Sequence, residues 1–376
     1  MKALKKGLAL IYNPHNLLEF VWYCCTYSKD TEWDALCLPS GHMGEYMSEY
    51  CEKSGLFNKI YASDKNYSQA GMKEQLGAFL SMFGHYITGR RAAYCKKTLN
   101  RYVEDIDRYD ELVVLNDIGL VGGLMIGLGK QKDVIILEDG VGDYVEKSNK
   151  RLLKHLLSGR EWRGFLLAKM GYSNSEHNYP LVTSKYCTKF NSKPEKMKYR
   201  KYKRFEKLFD FTDTDVERYN RIIADLYTNI DQEKIRQSDA IVFTTNVADF
   251  TKDPGAHIKA FEDYMNAHAN AVMIKKHPRD CGDYVFDPAV SVYELSPAYP
   301  AEVILPYIKD KQIYFMFPSS VLLYVDDSSD KYHCFYFEKL YAECQGQESF
   351  LDYPDRNRYS ELLRLMGAED IDIITL

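Results

Sequence analysis

Residues 240–280 read AIVFTTNVADFTKDPGAHIKAFEDYMNAHANAVMIKKHPRD. Two short apolar runs, Ala240–Thr244 and Ala271–Lys275, bracket an amphipathic stretch of helical period, Ala256–Ala269. Strand, helix and strand in that order make a βαβ unit, the building block of parallel sheets covered by helices on both faces. The alternation continues both ways. Upstream, the apolar runs Gly7–Tyr12, Asp34–Leu38, Lys59–Ala62, Glu111–Leu115 and Val134–Leu137 read as strands. Asn16–Tyr27, Gly41–Ser54, Gly71–Tyr86 and the Gly-rich Leu120–Gly129 read as the helices between them. Downstream, Val290–Leu295, Gln312–Phe317 and His333–Phe337 continue the strand series, with helices at Ala301–Ile308 and Arg358–Met366. The expected fold class is α/β, two successive parallel-sheet domains that place ligands at the carboxyl ends of their strands, in the crevice between the halves.

The 376 residues suffice for two domains. Hydrophobic residues at 45% and charged residues at 27% are the balance of a globular chain. A net charge of −5 gives no global case for nucleic-acid binding. No apolar run reaches the length of a membrane-spanning helix. The opening MKALKKGLALIYNPH has an apolar run too short for a signal peptide and reads as a first strand. The nine cysteines show no C-x-x-C pair and no zinc spacing, and are expected to be reduced, mostly buried thiols in a cytoplasmic protein.

From Lys147 to Arg204 the texture changes, with sixteen Lys or Arg against three Glu. This segment is expected to be a basic helical insertion with a solvated face; contact with an anionic membrane or acceptor is the alternative. Asp213-Thr214-Asp215 precedes a helical run, so Asp215 is expected as an N-cap, with metal binding by the D-x-D triplet as the alternative.

Three strand ends carry chemistry. In VIILEDGVGDY, Glu138 and Asp139 emerge after a buried-type strand and Gly140 lets the backbone turn. A carboxylate there can take a proton from an attacking hydroxyl, or it is an acidic turn. In AVMIKKHPRD, Pro278 fixes a turn and holds His277 extended, while Lys275, Lys276 and Arg279 make the surroundings positive. His277 can donate to a phosphate leaving group, or be a plain loop residue. In IYFMFPSSVLL, Ser319 and Ser320 open a helical run and can cradle a phosphate, or one of them simply caps the helix.

In this order, Glu138-Asp139-Gly140, His277-Pro278 and Ser319-Ser320 resemble the motifs of the bacterial sialyltransferases and polysialyltransferases. The opening IYNPHNLLEF, with Asn13, is similar to the family's donor-facing first loop, and Glu302 in SPAYPAEVILP to a glutamate that holds the cytidine ribose. The resemblance covers most of the chain in layout but only these short motifs in residues, and leaves the 147–204 segment unexplained. It implies a GT-B fold, two Rossmann-like domains facing a central cleft. It implies metal-independent, inverting transfer of sialic acid from CMP-sialic acid to a glycan hydroxyl, as in capsule or lipooligosaccharide synthesis, with no cofactor. Glu138 is then the base, with Asp139 orienting the loop or exchanging roles with it. His277 protonates or stabilises the departing phosphate, which Ser319, Ser320, Pro278 and Lys276 help to hold; Thr244, Thr245, Asn246 and Gly140 are further donor contacts.

The expected division is residues 1–235 as the acceptor-side domain, 236–345 as the CMP-donor domain and 346–376 as a segment crossing back. Competing readings are a relative using CMP-Kdo or CDP-glycerol, and a non-catalytic glycan- or nucleotide-binding protein. Peripheral attachment to the inner face of an anionic membrane and a homodimer are further expectations.

Overall fold

The computed structural model describes residues 4–38, 47–63, 72–114, 120–137, 170, 184–187, 204–207, 213–228, 230–249, 251, 253–297, 299–308, 311–317, 319, 321–322, 332–337, 360, 363 and 371–376. The chain divides into two compact units, Met1–Leu226 and Tyr227–Leu376.

The first unit is built on a seven-stranded sheet: β1 (Lys5–Ile11), β2 (Thr31–Cys37), β3 (Phe57–Ala62), β4 (Glu111–Val114), β5 (Asp133–Ile136), β6 (Ser184–Cys187) and β7 (Arg204–Lys207). Their order is β3-β2-β1-β4-β5-β6-β7, and every pairing is parallel. Its helices are α1 (Pro14–Thr26), α2 (Met47–Lys53), α3 (Met72–Ile87), α4 (Arg91–Leu99), α5 (Leu120–Ile126) and α6 (Asp213–Leu226).

Strand alternation sorts the core. Leu8, Leu10, Leu36, Leu112, Val114, Val134 and Ile136 pack with Met82 of α3, Cys95 and Leu99 of α4 and Leu124 of α5. On α1, Phe20 meets the Trp33 ring edge-on at 5.1 Å, and Trp22 stacks on Tyr219 of α6 at 5.0 Å. Asp34 is buried but accepts from Arg108 and, at 2.6 Å, from the Tyr109 hydroxyl.

The second unit holds a six-stranded sheet: β8 (Ala240–Phe243), β9 (Ala271–Lys275), β10 (Ser291–Leu295), β11 (Gln312–Phe315), β12 (Tyr332–Tyr336) and β13 (Asp372–Thr375), ordered β10-β9-β8-β11-β12-β13 and all parallel. Helices α7 (Gln232–Gln237) and α8 (Pro254–His268) belong to this unit, and Phe261 and Met265 of α8 pack on Val242, Val272 and Ile274. In both sheets the chain runs outward one way, returns to the centre, and runs outward the other way. The reversal falls between β1 and β4 in the first sheet and between β8 and β11 in the second, where doubly wound folds open a crevice at the strands' carboxyl ends.

Three expectations are corrected. The basic 147–204 segment is not simply a helical insertion: β6 lies inside it, and β7 begins at its last residue. A row of cations reports solvent contact, which an edge strand supplies as well as a helix does. Helix α6 starts at Asp213, so Asp215 is not its N-cap; its buried carboxylate sits in the first turn and pairs with Lys29 Nζ at 2.5 Å. Ala301–Tyr307 is 3-10 rather than α-helical, and Pro306 within it lacks an N–H to donate. The final residues form β13 on β12; of the expected crossing segment, residues 346–359, 361–362 and 364–370 lie outside the described residues.

Among the described residues no disulfide forms, and only Cys281 of the cysteines is exposed. Among them, too, no helix is long and apolar enough to cross a membrane.

Candidate functional site

In the second unit the carboxyl ends of β8, β9 and β11 lie side by side, and the residues that leave them are bound together. The backbone N–H of His277 donates to Thr244 Oγ1 at 3.3 Å. The Thr244 hydroxyl in turn donates to Asp280 Oδ2. That same oxygen accepts from the Tyr284 hydroxyl at 2.8 Å, and Asp280 Oδ1 accepts from Gly282 N at 2.9 Å. The turn closes with Asp280 N donating to the His277 carbonyl at 2.9 Å. Burial, followed by the Asp280 charge, raises the Tyr284 phenol well above its ordinary range, so it stays a donor.

The same turn fixes the imidazole. Arg279 N–H donates to His277 Nδ1 at 3.1 Å. A backbone N–H can only donate, so Nδ1 is an acceptor and the neutral ring carries its proton on Nε2. His277 and Pro278 are themselves exposed, and Nε2–H is the donor of the neutral ring.

Lysines 275 and 276 have different surroundings. Lys275, the last residue of β9, is 4% exposed. Its Nζ donates to the Lys276 carbonyl at 2.5 Å, with the Pro297 carbonyl at 3.5 Å. Burial lowers its pKa to about 8, against the opposing pull of Glu302. Glu302 is also buried, at 5% exposure, in the 3-10 turn. Lys276 instead pairs with Glu294 Oε1 at 3.1 Å, and its Nζ lies 5.5 Å from the Tyr284 ring centroid.

Ser319 follows β11. Its Oγ accepts from Val321 N at 3.4 Å, and its carbonyl from Leu322 N at 3.0 Å. It therefore caps a short 3-10 turn, and its own hydroxyl proton has no acceptor among the described residues. Thr245 and Asn246, after β8, are half-buried. Pro318 and Ser320 lie outside the described residues.

In the first unit, β1 leads into α1 through Asn13, whose extended backbone and Oδ1, accepting from Asn16 N at 2.8 Å, make it the N-cap, with Pro14 in the first turn. Asn16 Oδ1 accepts from Tyr12 N at 3.3 Å. Asn16 is fully buried, and its Nδ2 has no partner among the described residues. One turn on, the fully buried Glu19 lies 3.4 Å from His15 Nε2. Strand β5, two strands from β1 in the sheet, is followed by Leu137, whose N–H donates to the Val114 carbonyl at 3.2 Å. Glu138, Asp139 and Gly140, which follow, lie outside the described residues.

Thus His277, Thr244 and Ser319 share one sheet edge, while Asn13 belongs to the corresponding edge of the other unit. Sequence reasoning did not single out Asp280, Tyr284, Asn16, His15 or Glu19. An i,i+4 His–Glu pair just after a first strand was a visible signal for the last two. Among the described residues no three metal-ligating side chains cluster.

No protein-family model and no curated protein matches the sequence. Among solved structures, the chain is similar to an α/β-galactoside α-2,3-sialyltransferase from Photobacterium phosphoreum, with 10% identity, 99% of each chain covered and a TM-score of 0.51. It also overlaps the MurG of Acinetobacter baumannii at 10% identity, covering 99% of this chain and 86% of that one with a TM-score of 0.42. A third, MnaA of S. aureus solved with UDP, matches at 10% identity, covering 98% and 92% with a TM-score of 0.48. Two parallel-sheet α/β domains and this likeness give the chain the GT-B fold.

Proposed function

We propose that the chain is an inverting, metal-independent glycosyltransferase that moves sialic acid from CMP-sialic acid to a hydroxyl of a glycan of capsule or lipooligosaccharide type. The observation that carries this reading is the second unit's reversal edge. There the Thr244–Asp280–Tyr284 clamp holds the His277 turn, with the Lys275 ammonium beneath it and Ser319 on the neighbouring strand end. Such an edge offers a phosphate an Nε2–H donor, a hydroxyl donor and nearby positive charge. The three short motifs, and the sialyl transfer named for a solved structure of the same fold, point the reading to CMP-sialic acid.

In the reaction, the bond from the sugar's anomeric carbon to the phosphate oxygen breaks and CMP departs with the electron pair. His277 Nε2–H donates to a phosphate oxygen, Ser319 and Ser320 hold the phosphate, and Lys275 stabilises the charge from below. Glu302 anchors the ribose, and Thr245 and Asn246 border the donor. Glu138 takes the proton of the acceptor hydroxyl as its oxygen bonds to the opposite face of the sugar, with Asp139 orienting that loop. CMP, the sialylated glycan and one proton are the products.

The test is incubation with CMP-sialic acid and lactose, following CMP release and product. Transfer that Glu138→Gln and His277→Ala each abolish is the expected result. No transfer, no CMP release and no CMP binding would sink the reading. Transfer only with CMP-Kdo or CDP-glycerol would keep the reaction class and replace the donor.

A further inference from the structure

Helices α3 and α4 form an αα-hairpin in the first unit. Gly89 closes the turn at φ +68°, with Gly89 N donating to the Tyr86 carbonyl at 3.1 Å and Arg90 N to the His85 carbonyl at 2.8 Å. The inner side of α3 is ordinary: Met82 is in the core, Phe79 packs against it, and His85 lies against Tyr94 of α4 at 4.7 Å.

The outer side is not. Leu76, Leu80, Phe83 and Ile87 are 44, 58, 40 and 65% exposed. Steps of four, three and four residues put them on one face, as one continuous apolar stripe. Gly77 and Gly84 flank it, and open space surrounds the position of a Cβ at either. Single exposed apolar residues need no explanation; an aligned row of four does.

On α4 and at its two ends, Arg90, Lys97 and Arg101 are exposed and form no ion pair with any described residue, whereas Lys96 is held by Asp107 and Arg91 by the Met170 carbonyl. Between Glu74 and Glu104 the sequence has no carboxylate at all. The hairpin thus carries an apolar row on α3, and exposed cations on α4 and its flanks, against a single carboxylate, Glu74 in the first turn of α3.

We propose that this hairpin docks the protein on an anionic phospholipid bilayer. The α3 stripe enters the headgroup–acyl boundary, and Arg90, Lys97 and Arg101 meet lipid phosphates. Charge decides the occupant. A second copy brings the same excess of cations, with Glu74 its one carboxylate, whereas an anionic bilayer brings the missing charge. The inference does not rest on the transferase reading, because vesicle binding is measured without donor or acceptor.

The experiment is flotation of the full chain with vesicles of phosphatidylcholine alone, or with one-third phosphatidylglycerol, together with light scattering in solution. The chain is expected to float with the anionic vesicles and to release as salt rises toward about 0.5 M. Leu80→Gln/Phe83→Gln is expected to lower partitioning at least ~10-fold, from lost apolar insertion. Lys97→Gln/Arg101→Gln is expected to lower it by about 30-fold on anionic vesicles. Both pairs replace exposed side chains, so their thermal midpoints should match the parent. Failure of the parent chain to float overturns the proposal. So does flotation that both double variants leave unchanged, or a dimer in solution that Leu80→Gln/Phe83→Gln converts to monomer.

Discussion

The Thr244 hydroxyl stands between the His277 backbone and the Asp280 carboxylate, accepting from the first at 3.3 Å and donating to the second. Thr244 is buried directly after β8, so its hydroxyl is shielded from water although His277 is exposed and Asp280 half-buried. Thr244→Val keeps the shape, removes both bonds and leaves the half-buried Asp280 carboxylate short of one donor. It is expected to cost about 1–3 kcal/mol in urea unfolding and to weaken CMP binding by calorimetry about 10-fold. Thr244→Ser should restore most of both. Equal CMP affinity in the Val variant would mean that the clamp does not position His277.

Lys275 makes stability depend on pH in a defined direction. Its pKa in the folded chain is about 8, against an ordinary 10.5. Between those values the unfolded chain binds more protons than the folded one, so stability rises with pH. The penalty of burying the ammonium is fully present below about pH 8 and is lifted as pH climbs toward 10.5; it amounts to about 3 kcal/mol. Replacing Lys275 alone would strand the Glu302 carboxylate, so the comparison is with Lys275→Met/Glu302→Gln. Urea unfolding of the parent from pH 7 to pH 10 should gain on the double variant by that order. Parallel curves would show that Lys275 is not the buried cation described above.

This split among neighbouring cations shows where the sequence was legible and where it was not. Ala240–Phe243 and Ala271–Lys275 were visible because central parallel strands are covered on both faces and read as unbroken apolar runs. Ser184–Cys187, Arg204–Lys207 and Asp372–Thr375 are four-residue strands at the flanks of their sheets, too short and polar to show a period. Helix α4, RAAYCKKTL, hides its buried Cys95, Thr98 and Leu99 among charges. At the site, the sequence showed Lys275, Lys276 and Arg279 as one positive neighbourhood. Only the fold buries the first and ties the second to Glu294. The bond from Thr244 to Asp280 spans 36 positions, and no local pattern announces it.

Asp34 provides a control in the unit that does not carry His277. It lies in β2, buried, and is shared by Arg108 and the Tyr109 hydroxyl. Asp34→Ala removes the acceptor that the two donors share, leaving Arg108 its 3.5 Å pair with Glu104, and is expected to cost about 2–4 kcal/mol. CMP affinity measured where the variant is still folded should be unchanged. A parallel loss of affinity would mean that the first unit's core also governs the nucleotide site.

Gly7 and Trp33 are register partners on β1 and β2, and the indole lies across the face of the glycine. A Cβ added at Gly7 would fall inside the van der Waals shell of three indole carbons. The ring cannot swing aside, because Phe20 abuts it at 5.1 Å and its Nε1 donates to Ser28 Oγ at 3.2 Å. Gly7→Ala is therefore expected to cost about 2–4 kcal/mol, more than a backbone effect alone, which favours alanine in a strand. Trp33→Val loses packing by itself but makes room for the methyl. In a double-mutant cycle by urea unfolding, the pair should be less destabilised than the sum of the singles by at least about 1 kcal/mol. Additive costs would show that the strain of Gly7→Ala is relieved elsewhere, and that the close approach of Gly7 and Trp33 does not set the spacing of the two strands.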